Sequence, residues 1–201
     1  MELHEALSQI AEIRSRVAAT ERFRGYKAGP VAASGALALL AAMAQPVLIP
    51  DPTGNLGAYL ALWVGTAILG MAAAGSGIVA RLRSAEDPLG RELTRLAVGQ
   101  FLPCIVAGGL VTLIIARHAP DVAWILPGLW QVLFSLGVFA SCRLLPRATV
   151  GIGVFYLLAG AVNLTHGPVP TALTAWAMGV PFGFGQLAMA AILYWSLERN
   201  G

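Results

Sequence analysis

Groups able to do chemistry are scarce in this chain, and most sit at the ends of apolar runs. Six stretches, about 31–49, 56–80, 96–116, 122–142, 148–165 and 171–197, contain no Asp, Glu, Lys, Arg or His. Ion- and proton-coupled transporters place ionisable groups at mid-membrane. Enzymes need a base, a nucleophile or a set of metal ligands. Neither is in evidence within these runs, so a non-enzymatic protein is expected.

His118 and His166 follow the third and fifth runs and would face the same side of a membrane. Two imidazoles there could form a bis-histidine haem or metal site. Each, however, lies in a turn sequence where a solvated imidazole is ordinary, and Asp121 is the one obvious carboxylate nearby. No cofactor is expected, and these two histidines are the metal candidates the sequence offers. Cys104 lies within one run and Cys142 at the end of another. Neither belongs to a Cys-x-x-Cys pair, and both read as small packing residues.

Uncharged polar residues are the next candidates: Gln100, Gln131, Asn163 and Gln186, with Thr66 and Thr112. An amide in hydrocarbon needs a partner, so these are expected to face the interior of a bundle. They can tie helices together, or they can line a cavity for an uncharged ligand. The ligand-binding candidates are Gln131 and Gln186, with Trp130 as a wall and Pro181 as the source of freed backbone groups. Pro181 removes one helical hydrogen bond and should kink its helix. Gly179 and Gly183 form a Gly-x-x-x-Gly pair that permits close helix approach. Gly75-Ser76-Gly77 and Gly151-Ile152-Gly153 lack the lysine and the strand-turn-helix context of a phosphate loop.

Composition sets the elements that must position these groups. Apolar residues make up 57% of the 201 residues and charged ones 11%, against about 25% charged in a soluble domain. Runs of this length match the roughly 20 helical residues that cross a bilayer core. The expected fold is an all-α membrane helix bundle of six transmembrane helices, arranged as three hairpins over residues 30–201.

Twelve of the thirteen Lys and Arg residues fall before the first run, between the second and third, between the fourth and fifth, or after the last. Arg117 alone falls on the other side. The positive-inside rule then places both termini in the cytosol. The outer turns are short and rich in proline, as in Pro50-Asp51-Pro52 and Gly167-Pro168-Val169-Pro170. Arg-rich, Lys-poor composition points to a GC-rich bacterial genome and hence to a bacterial inner membrane. There is no basic stripe with interleaved aromatics, so nucleic acid is not an expected partner.

Residues 1–29 carry Glu, Arg and Lys throughout, so a cleavable signal peptide is not expected. They read instead as an amphipathic cytosolic helix with Leu3, Ile10, Ile13 and Val17 in one seam. Leu89 and Leu93 follow Asp87-Pro88, a good helix start, and could pack against that seam. Partners are therefore expected to be the lipid bilayer and either a second copy or another membrane protein. The leading expectation is a subunit or scaffold acting through these cytosolic contacts. A small transporter or lipid-binding protein for an uncharged ligand is the second, and a haem- or metal-binding subunit the third. Trp, polar and Arg residues recur along the second helix of each expected hairpin, a pattern that suggests an internal repeat.

Overall fold

Each uncharged run forms a helix that closes its own backbone hydrogen bonds, as a chain in hydrocarbon must. A computed structural model describes residues 28–83, 88–142 and 145–199. The helices are α1 (Ala28–Leu48), α2 (Leu56–Arg83), α3 (Pro88–His118), α4 (Leu126–Ser141), α5 (Thr149–Thr165) and α6 (Ala175–Leu193). No strand occurs among the described residues. Among the described residues, five segments are long and apolar enough to cross a membrane: Ala28–Leu48, Leu56–Gly75, Val98–His118, Pro120–Ser141 and Ala175–Ser196. α5 is apolar but has only 17 residues, about 25 Å at 1.5 Å per residue. Of the amphipathic segment expected over residues 1–29, residues 1–27 lie outside the described residues, and Ala28 and Gly29 instead open α1.

Turn chemistry sets the helix boundaries. Beyond α1, Asp51 Oδ1 accepts from Thr53 Oγ1 at 2.7 Å and from the Gly54 N–H at 2.9 Å. The Thr53 hydroxyl, and then the Gly54 N–H, hold the Asp51 carboxyl below its usual value. Asn55 Oδ1 accepts from the Ala58 N–H at 3.1 Å and caps α2. The fourth apolar run does not begin as an α-helix. Residues Pro120–Ile125 form a 3₁₀ segment, because Pro127 cannot donate to the Ala123 carbonyl, which instead accepts from the Leu126 N–H. The sixth run likewise opens with a 3₁₀ turn, Pro170–Leu173, and closes with a π turn, Tyr194–Glu198.

Buried clusters show how the helices are ordered. Ala41 and Ala42 near the end of α1 pack with Tyr59 and Trp63 near the start of α2 and with Leu173 and Ala175 at the start of α6. Ile115 near the end of α3 packs with Ala123 and with Leu126 at the start of α4. At the opposite end, Ala28 and Val31 join Val138 of α4, Ile152 and Tyr156 of α5, and Met189 and Leu193 of α6. The six helices therefore alternate in direction.

Small residues govern the closest approaches. The buried stripe of α1 includes Ala28, Val31, Gly35, Ala38, Ala42 and Gln45, spaced by three and four. It lies on α6, where a methyl group added at Gly179 would strike Ala42 and one added at Gly183 would strike Leu39. The Gly-x-x-x-Gly pair is thus used within the chain, between its first and last described helices. Gly128 of α4 and Gly160 of α5 cross so closely that a Cβ on either would sit 2.7 Å from the other's carbonyl oxygen. α5 packs more extensively on α4 than on α6, its partner in the expected third hairpin. Large apolar side chains such as Met43, Val47, Leu110 and Val162 are exposed. A contiguous apolar exterior of that kind suits lipid rather than water.

Candidate functional site

α2 and α3 are the least embedded of the long helices, with 11% and 6% of their apolar spans buried, against 33–44% for the other three. They touch each other only lightly. A crevice of about 710 Å³ opens between them, with α4 and α6 as its floor. On α2 the wall includes Trp63, Thr66, Ala67, Gly70 and Ala74; on α3 it includes Phe101, Ile105, Gly108, Thr112 and Ala116. Their spacing, mostly three and four residues, centres the wall on one face of each helix. Small side chains at the facing positions keep the space open. From Val98 to Ala116 the wall extends roughly 27 Å along α3, close to the thickness of a bilayer core.

Around this crevice the polar side chains divide into those consumed by the fold and those that are not. Trp63 Nε1 donates to Gln45 Oε1 at 2.7 Å, and Gln45 Nε2 donates to the Leu173 carbonyl at 2.8 Å. One amide thus ties α1, α2 and the turn before α6. Gln45 was not among the sequence candidates, although a lone amide within an alanine-rich apolar run is a recognisable signal.

A second knot involves Pro181. Lacking an N–H, Pro181 leaves the Ala177 carbonyl without its helical donor. Gln131 Nε2 donates to that oxygen at 2.7 Å and Asn163 Nδ2 at 3.0 Å. Asn163 Nδ2 also donates to Gln131 Oε1 at 3.0 Å. Gln131 is fully buried, and neither it nor Pro181 lines the crevice. Trp130 does line it, and its Nε1 donates to Thr112 Oγ1 at 2.8 Å, tying α4 to α3. The Thr112 hydroxyl in turn donates to the Gly108 carbonyl at 2.6 Å.

Gln186 is placed differently. It lines the crevice, and its Cβ lies against the surface of Gly35 on α1. Beside it stands the Tyr156 hydroxyl, fully buried, with the Gln186 side chain as its polar neighbour and no hydrogen bond of good geometry. Ser141, at the far end of the same wall, is also buried with its hydroxyl unpaired. An aromatic cluster forms the floor. Phe134 meets Phe101 at 5.2 Å, Tyr156 at 4.7 Å and Phe182 at 5.6 Å between ring centroids. The four ligand-binding candidates are therefore split: Trp130 and Gln186 meet at the crevice, while Gln131 and Pro181 belong to the Ala177 knot.

The other candidates lie elsewhere. His118 and His166 are exposed, and His166 Nδ1 is bonded to the Val162 carbonyl at 2.8 Å. No cluster of three or more His, Cys, Asp or Glu side chains placed to hold a metal occurs among the described residues. Cys104 and Cys142 are both unpaired thiols, and Cys104, unlike the histidines, lines the crevice. Leu89 and Leu93 fall in the first turns of α3, whereas Leu3, Ile10, Ile13 and Val17 lie outside the described residues. No protein-family model, curated protein or solved structure matches the chain.

Proposed function

We propose that this chain is a six-crossing inner-membrane protein that binds an uncharged, lipid-like molecule in the crevice between α2 and α3. Both ends would face the cytosol, with the arginine-rich connections on that side. α5, although short, returns the chain to the end where α6 begins, and slight local thinning of the bilayer accommodates its length. The observation that carries the reading is the crevice itself: long, apolar, laterally open and, among the described residues, lined by no Asp, Glu, Lys, Arg or His. Its volume lies in the range of small-molecule sites. In a bilayer such a space fills with a hydrocarbon chain, because an empty apolar void forfeits the contacts of its lining. With no ionisable group in the spans to couple to an ion gradient, binding is favoured over driven transport.

Native mass spectrometry of the protein released from nanodiscs tests this. The wild type should retain one apolar molecule reproducibly, and Ala67→Trp, which fills the crevice, should lose it while keeping its melting temperature. A bare protein, or retention unaffected by Ala67→Trp and Ile105→Trp alike, would refute it.

A further inference from the structure

Resting on that reading, we infer that the bound molecule carries a flat, uncharged head with a carbonyl or hydroxyl group, the chemistry of a lipid quinone, and that Gln186 recognises it. Three amides of the helical core are committed to the fold. Gln45 is engaged at both ends, and Gln131 and Asn163 share the Ala177 carbonyl. Gln186 opens onto the crevice with the Tyr156 hydroxyl as its polar neighbour, and one hydroxyl fills only part of an amide's donor and acceptor capacity. The Tyr156 hydroxyl is buried and makes no hydrogen bond of good geometry. Polar capacity left unfilled in hydrocarbon is costly, and a ligand that satisfies it gains that free energy as affinity.

The surroundings define the head further. Phe101, Phe134 and Phe182 all line the crevice, and Phe182 precedes Gln186 by one helical turn. Such rings offer faces and edges to another flat ring. Among the described residues no charged side chain is present in the wall to receive a phosphate, and an ion beside them would go unmatched. The remaining length of the crevice is apolar and suits a single hydrocarbon tail. A glutamine amide donates through its nitrogen and accepts through its oxygen. It can therefore bond a quinone carbonyl or, with the amide turned, a quinol hydroxyl, and the two forms should bind with similar affinity.

Trp63 and Trp130 line the same crevice, so binding can be read from their fluorescence. The full-length protein in detergent is titrated with decylubiquinone, and decanol serves as a competitor of similar chain length without the ring. Expected are saturable quenching, weak competition by decanol, and roughly tenfold weaker binding in Gln186→Leu. On the wild type, the infrared carbonyl stretch of bound decylubiquinone should shift down from its value in detergent alone; this decides the matter if Gln186→Leu does not fold. Saturable quenching that decanol reverses equally well, with no effect of Gln186→Leu and no carbonyl shift, would overturn the head assignment and leave lipid binding standing. No saturable binding of either probe would overturn both.

Discussion

Gln131 Nε2 lies 2.7 Å from the carbonyl oxygen of Ala177, the group that Pro181 deprives of its helical donor. A proline in one helix and an amide in another thus form one unit, with Asn163 supplying a second donor at 3.0 Å. Gln131→Leu should cost about 1 kcal/mol, in the range measured for hydrogen bonds between membrane helices. In a Pro181→Ala background the restored N–H serves Ala177, and the same substitution should cost less. Unfolding of the four proteins in detergent measures the coupling. Equal costs in both backgrounds would show that the two residues act independently.

Gln45 bridges Trp63 and Leu173, so its loss leaves a buried indole N–H and a carbonyl unpaired. Gln45→Leu is expected to destabilise the protein by about 1–3 kcal/mol. Trp63→Phe removes one of the stranded groups, so the double variant should cost less than the sum of the two single changes. Thermal unfolding of the three variants checks this.

The crossing of α4 and α5 leaves no room for a side chain. Gly128→Ala would place a Cβ 2.7 Å from both the Gly160 carbonyl and Leu164, and overpacking of this kind costs about 1–3 kcal/mol. Gly109 meets nothing within 4 Å. Gly109→Ala should therefore be neutral or stabilising, helped by a helix preference of up to about 1 kcal/mol. A comparison of the two melting temperatures separates packing glycines from tolerated ones.

The proposed six crossings with cytosolic ends would place Thr53 and Asp121 on the outer side and Ala148 on the inner. In a background with Cys104 and Cys142 replaced by alanine, Thr53→Cys and Asp121→Cys should react with a membrane-impermeant maleimide added to intact cells. Ala148→Cys should react only after lysis. Labelling of Ala148→Cys in intact cells would remove α5 from the set of crossings or invert the chain.

Helix positions were largely legible because charge and proline bound each apolar run. The first run, Val31–Ile49, became Ala28–Leu48, and the helix expected after Asp87-Pro88 continues unbroken to His118. Partners were not legible. The Gly179 and Gly183 pair announced a close approach, but its match to Leu39 and Ala42 depends on chain ends meeting across the bundle. Gln131 and Gln186 look alike in sequence, since periodicity does not say which face meets a neighbouring helix and which meets open space. The crevice was least visible of all. It arises from small residues on two helices, and what matters is the volume they leave unfilled.

The most direct test of the crevice uses the protein in a bilayer doped with a lipid bearing a diazirine on its acyl chain, followed by mapping of the labelled residues. Chain binding between α2 and α3 predicts saturable labelling concentrated at residues 66–71 and 105–112, competed by excess unlabelled ligand and abolished by Ala67→Trp. Labelling spread evenly over every lipid-facing surface, with Met43, Val162 and Val180 reacting as strongly and no effect of competitor, would contradict it.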